Sequence, residues 1–292
     1  MKQAFCYPAV FLIIATSIFA QDGGVASSGS PEATEARVYR RKGLERFRSG
    51  KYEEALEAFK QAIRLNANYA EAYNDLGMTY EKLERHDEAV DVFRRAIKLK
   101  PSLAAAHYNL GTALYRLKHL QEAVTSFKQA ILLKPEYAWA HHNLGTTYFE
   151  LGRFGEAVDS YRQSIRYAPE WAEAHMQLAA AYAELNRHAD AVRVLKRAVE
   201  LKPDFAEAHN ALGVAYHYGG HFGKAAESFR QAVRLRPDYA AAHYNLGVTN
   251  LGRREREAAL VEYQLLKFLD PQLAAKLYDG LTKGMVLKVT NK

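Results

Sequence analysis

Along this chain, apolar and small side chains fall in two helical registers that restart every 34 residues. Counting from Ala36, one stripe occupies positions 4, 7, 8 and 11 of each period and a second occupies 20, 24 and 27. Both spacings fit one face of an α-helix, so each period predicts two amphipathic helices joined by a turn. The pair at positions 7 and 8 steps without insertion through Leu76-Gly77, Leu110-Gly111, Leu144-Gly145, Leu178-Ala179, Leu212-Gly213 and Leu246-Gly247. The heptapeptide AAHYNLG recurs letter for letter at Ala105 and Ala241, four periods apart. Seven units result: 36–69, 70–103, 104–137, 138–171, 172–205, 206–239 and 240–273. One such hairpin cannot bury both its faces, so stability must come from stacking.

The columns are specific. Position 20 is alanine in every unit (Ala55, Ala89, Ala123, Ala157, Ala191, Ala225, Ala259). Position 24 is aromatic or Leu (Phe59, Phe93, Phe127, Tyr161, Leu195, Phe229, Tyr263), and position 32 is Pro from the second unit onward. With Leu-Gly at 7 and 8 and Tyr at 11, this pattern closely resembles the tetratricopeptide repeat. The first unit departs at Lys42, Arg46 and Ala67, the last at Asn250. The resemblance implies an all-α, right-handed superhelical solenoid of helix-turn-helix units whose first helices line a concave groove.

The small residues at positions 8 and 20 are expected to let the two helices of a unit approach closely. Pro followed by a polar residue, as in Pro101-Ser102, Pro203-Asp204 and Pro237-Asp238, is expected to stop one helix and N-cap the next. Beyond the repeats, 274–292 reads as a capping helix and basic tail, the helix spanning 272–283 after Asp270-Pro271. At the other end, one Lys, an apolar run of about a dozen residues and a small residue at Ala20 have the layout of an export signal over 1–20. Residues 21–35, rich in Gly, Ser and acid, read as a flexible linker. This predicts an exported protein, periplasmic or secreted; the alternative is an anchor retained through residues 4–20. The single cysteine, Cys6, precedes the apolar run and so cannot be a lipid-bearing residue of a lipoprotein signal.

Charge, histidine and motif content narrow the function. The formal net charge is +7, but the excess sits at the ends: +5 in the first repeat and +3 after residue 273, with +1 over the six repeats between. A phosphate-tracking groove needs positive charge along its length, so nucleic acid is disfavoured as a partner. The cationic column at position 25 (Lys60, Arg94, Lys128, Arg162, Lys196, Arg230) falls late in each second helix, where it complements the helix dipole. Histidines 107, 141, 175, 209 and 243 form a column at position 4. Equivalent residues on stacked helices lie about 10 Å apart, too far to share a metal. His217 and His221 flank Gly219-Gly220 and lie across a turn. No phosphate loop, nucleophile elbow or H-E-x-x-H occurs. The chain reads as a non-enzyme, with neither cofactor nor metal implied.

A binding surface remains. The resemblance assigns positions 2, 5, 6, 9, 12 and 13 to the groove. In units three to five these columns hold Tyr108, Asn109, Tyr115, Trp139, His142, Asn143, Phe149, Met176 and Gln177, rings interleaved with amides and little charge. Amides both donate to and accept from peptide backbone, and rings receive side chains, so the patch suits an extended peptide or protein partner. The competing reading is that some of these aromatics only pack between repeats. Position 9 lacks the Asn of the family's carboxylate clamp. The asparagine ladder that some members carry at position 6 is matched by Asn109, Asn143 and Asn245 and interrupted by Arg41, Asp75, Gln177 and Ala211. A rival mode is docking of the basic first repeat, through Arg37, Arg40, Arg41 and Arg48, to an acidic partner or anionic membrane. Oligomeric state is not encoded in these patterns.

Overall fold

A computed structural model describes residues 30–283 and 287–290. The expected signal segment, and the linker as far as residue 29, lie outside these residues. The helices come in pairs: α1 (Pro31–Arg48) and α2 (Tyr52–Leu65), α3 (Ala70–Lys82) and α4 (His86–Leu99), α5 (Ala104–Arg116) and α6 (Leu120–Leu133), α7 (Ala138–Glu150) and α8 (Phe154–Tyr167). They continue with α9 (Ala172–Glu184) and α10 (His188–Leu201), α11 (Ala206–Tyr218) and α12 (Phe222–Leu235), α13 (Ala240–Gly252) and α14 (Arg256–Leu269), and end with α15 (Pro271–Lys283). No strand occurs among the described residues.

The chain divides into two compact units, one ending at Arg153 and one beginning at Phe154, with the boundary between α7 and α8. In the first, each helix packs on the next, and α1, α3, α5 and α7 also touch in succession. In the second, the same holds for α8 to α15, with α9, α11 and α13 touching in succession. The last helix packs on both α13 and α14 and closes that unit as a cap. Its start follows from Asp270, whose Oδ1 accepts from the Gln272 and Leu273 amides at 2.9 and 3.0 Å, with Pro271 at the first helical position.

Close approach within a repeat is enforced at position 8. A Cβ added to Gly77, Gly111 or Gly213 would lie 2.5–2.7 Å from the ring of Phe93, Phe127 or Phe229 of the same hairpin. In unit five, where Ala179 stands at position 8, the facing residue is Leu195 instead of an aromatic, and both are buried. The extra methyl and the smaller partner compensate. At Gly247 the space is taken by Leu277 of α15.

Two features differ from the sequence reading, and a third lies outside it. Helix α1 begins at Pro31, capped by Ser30 Oγ accepting from the Ala33 amide, so residues 31–35 extend the first helix. The expected polar N-caps are not used: the cap residues are Tyr69, Leu103, Tyr137, Trp171, Phe205 and Tyr239, one place before each helix, without a side-chain cap bond. Entry is fixed by packing and by the histidine column. Nε2 of His107, His141, His175, His209 and His243 meets the carbonyl of Pro101, Pro135, Pro169, Pro203 and Pro237, at 2.8–3.0 Å. The imidazole N–H donates there, tying the first turn of each helix to the preceding loop. Finally, the turn between paired helices places position 15 at positive φ, whether it is Gly50, Gly152, Gly220, Asn186, Glu84, Lys118 or Arg254. The array geometry imposes this conformation even on residues that disfavour it.

Candidate functional site

Positions 5 and 6 sit near the middle of each first helix, and the structure pairs them across neighbouring repeats at a 35-residue step. Asn109 Nδ2 donates to Asn74 Oδ1 at 2.9 Å, and Asn143 Nδ2 donates to the Tyr108 hydroxyl at 3.1 Å. At the start of the array the same pairing is ionic, Arg40 Nε to Asp75 Oδ2 at 2.6 Å. In the second unit Asn245 Nδ2 donates to Asn210 Oδ1, again at 2.9 Å. Much of the amide column therefore serves as mortar between repeats.

The nine groove candidates separate accordingly. Tyr108, His142 and Asn143 are buried inside the first unit, and Met176 and Gln177 are buried inside the second. The Tyr108 ring packs, tilted, 4.9 Å from that of Tyr137 and 5.9 Å from that of Phe127. Burial pushes its hydroxyl pKa up to about 12, so it stays neutral and bonded. Of these five, Tyr108 and Asn143 bond to each other across neighbouring repeats. Asn109, Tyr115, Trp139 and Phe149 are half-buried. Trp139 and Phe149 lie about 15 Å apart along α7, ten residues at 1.5 Å each. Tyr115 donates to Glu150, which also takes Lys118 Nζ at 3.0 Å, giving this end of the groove a fixed polar rim.

The basic patch also changes. Arg37, Arg41 and Arg48 are exposed on α1. Arg40 is not a docking cation: it is committed to the Asp75 carboxylate and reaches the Tyr69 hydroxyl. Asp75 is buried, and that burial raises its pKa against the pull of Arg40. His217 places Nδ1 3.0 Å from Thr249 Oγ1 and its ring against Phe222.

One contact was not visible in the repeat pattern. Asn245, already bonded to Asn210, also grips the backbone of residue 290: Oδ1 accepts from the Thr290 amide at 2.6 Å, and Nδ2 donates to the Thr290 carbonyl. Residues 287–290 carry no regular secondary structure and alternate in exposure, Val289 buried and Lys288 exposed. Leu287 packs over Gly280, leaving no room there for a Cβ. An amide thus holds this segment in two backbone hydrogen bonds, to the N–H and C=O of one residue. Asn109 stands in the same heptapeptide and makes the same neighbour bond as Asn245. Among the described residues, nothing bonds its Oδ1. Sequence reasoning missed Asn74 and Asn210, although a 35-residue comparison of position 5 with position 6 would have found them.

Comparison with known proteins agrees with this architecture. Residues 14–264 match a tetratricopeptide family model described as Cilia and flagella-associated protein 70 C-terminal domain. No curated protein sequence is significantly similar to the chain. Among solved structures, YrrB, described as a TPR protein with an unusual peptide-binding site, is 26% identical with a TM-score of 0.58, the match covering 65% of this chain and 99% of YrrB. MamA is 27% identical with a TM-score of 0.53, over 56% of this chain and 96% of its own. PilF of Pseudomonas aeruginosa, 19% identical over 71% of this chain and 95% of its own, shares the fold with a TM-score of 0.62.

Proposed function

Because the chain belongs to the tetratricopeptide repeat family, we propose that it is a non-enzymatic scaffold that binds an extended segment of a partner protein along its first helices. The carrying observation is the two-bond grip of Asn245 on the backbone of residue 290. The same heptapeptide presents Asn109 with the same neighbour bond and half-exposed. In the first unit Asn109 holds backbone, Trp139 and Phe149 receive side chains, and Tyr115 with Glu150 borders the site. The peptide-binding site in YrrB's description supports this kind of ligand. The N-terminal segment directs export, and the scaffold works in a bacterial envelope or outside the cell.

The test starts by photo-crosslinking from position 115 in the native host to capture the partner, then titrates its captured segment against variants. Trp139→Ala is expected to cost on the order of 2 kcal/mol, as for an aromatic anchor. Asn109→Ala is expected to cost about 1 kcal/mol, the net worth of backbone bonds lost. The exposed Arg37 and Arg41 support electrostatic docking as the other reading. If Arg37→Ala with Arg41→Ala abolishes binding while Trp139→Ala and Asn109→Ala bind like wild type, docking through α1 replaces the groove.

A further inference from the structure

Residues 287–290 lie against Asn245 of α13 and Gly280 of α15. The backbone N–H and C=O of Thr290 are both taken by Asn245. Val289 is 5% exposed while Lys288 faces solvent, and Leu287 covers Gly280 of the capping helix. Asn245 is fully buried, its second N–H held by Asn210, so the amide enters this contact already oriented. Backbone bonding by a fixed side chain, with alternate side chains sorted inward and outward, is how an extended peptide is recognised without dependence on its full sequence.

We propose that residues 287–290 are a cis-acting pseudo-ligand: they fill an extended-peptide site on α13, centred on Asn245, and a partner segment gains that site only by displacing them. This rests on the reading of the amide column as a peptide-backbone clamp. The displaced segment also states what the site prefers: an extended strand with aliphatic residues two apart and a tolerant position between them, after the pattern Leu287, Lys288, Val289. Covalent attachment to the chain keeps the local concentration of the pseudo-ligand on the order of millimolar. Weak free peptides are therefore excluded and only tighter or multivalent partners enter. The equivalent amide at Asn109 has no such guard among the described residues, so the two sites of identical heptapeptide differ in access.

The experiment uses the full chain and a fluorescent, end-capped peptide with the sequence of residues 285–292, MVLKVTNK. Thr290→Pro in the protein deletes the amide that donates to Asn245 while leaving an extended backbone acceptable, since Pro fixes φ near −65°. The labelled peptide is expected to bind this variant about tenfold or more tighter than the wild-type chain, the scale of one lost hydrogen bond with its buried acceptor exposed. Adding Asn245→Ala should abolish the gain, and a Val289→Asp peptide should not bind. In the wild-type chain the Thr290 amide should exchange slowly with solvent, and quickly in Asn245→Ala. Equal, Asn245-dependent affinity for the wild-type and Thr290→Pro chains would overturn the pseudo-ligand while leaving the backbone clamp standing. Failure of the peptide to bind the Thr290→Pro chain, with circular dichroism unchanged, would overturn both at this site.

Discussion

Replacing Gly111 by Ala tests the packing rule that builds each hairpin. The added Cβ would sit 2.7, 2.8 and 3.1 Å from Cε1, Cδ1 and Cγ of Phe127, against a comfortable carbon separation of about 3.5–4.0 Å. Phe127 is fully buried, so its ring has no solvent side into which to retreat. Forcing about an ångström of displacement in a close-packed core costs about 2–3 kcal/mol. Ala gains about 1 kcal/mol over Gly in a helix, leaving a net loss of about 1–2 kcal/mol. The control is Gly223→Ala in α12, where a Cβ meets nothing within 4 Å; only the propensity gain applies, and stability should rise by about 0.5–1 kcal/mol. Urea unfolding followed by circular dichroism compares the two. Phe127→Leu introduced with Gly111→Ala should recover part of the loss, since Ala179 and Leu195 already coexist in unit five. If Gly111→Ala is stabilised as Gly223→Ala is, the ring contact does not control helix approach and the argument fails.

Two further outcomes follow from individual residues. Glu84 is exposed and held at φ 59°, so Glu84→Gly should raise stability by about 0.5–1 kcal/mol in the same urea assay, and a loss would show that the turn has another requirement. For His243, burial pulls the pKa down, but the Glu262 carboxylate at 2.6 Å and the Pro237 carbonyl outweigh it and hold the ring above its ordinary value. A folded-state pKa above the unfolded one gives stability that is complete below about 6.5 and fades as pH rises through the raised value. Glu262→Gln should therefore cost more stability near pH 5.5 than near pH 8, and an equal cost at both would refute the pairing.

The fold was legible because the repeat overdetermines it. The Leu-Gly column, the alanines at position 20 and the aromatics at 24 each fix the same hairpin, and the substitution of Ala179 opposite Leu195 keeps the packing sum even where the letters change. Helix entry was misread because capping rules see Ser102 or Asp204 as available acceptors. They do not see that an aromatic or Leu side chain at position 34 and the histidine at position 4 already fix the turn. The groove was only partly legible for a related reason. Position 6 looks like a recognition column when one repeat is read at a time, yet its partner lies 35 residues back, at position 5 of the neighbour. Tyr108 and Asn143 satisfy each other, and nothing in either residue's own repeat announces it.

The hydrogen-bonding capacity of asparagine accounts for where recognition can survive in such an array. A primary amide offers two N–H donors and an oxygen with two lone pairs. One N–H of Asn109 and one of Asn245 go sideways to Asn74 and Asn210, which fixes the amide plane without consuming its oxygen or its second N–H. At Asn245 those remaining groups match the C=O and N–H of a single residue, donor to carbonyl and acceptor to N–H, and residue 290 fills them. Where position 6 is Asp75 the carboxylate has no donor to offer a carbonyl, and Arg40 neutralises it. Where the partner is Tyr108, one N–H of Asn143 goes to the phenol and its Oδ1 lies 3.4 Å from His142 Nδ1, so the oxygen is already engaged. Only an amide-to-amide step both orients the side chain and leaves a peptide-shaped remainder. In this chain that step coincides with the twice-written AAHYNLG: at Asn245 the remainder holds the backbone of residue 290, and at Asn109 it is the group we propose for a partner's backbone.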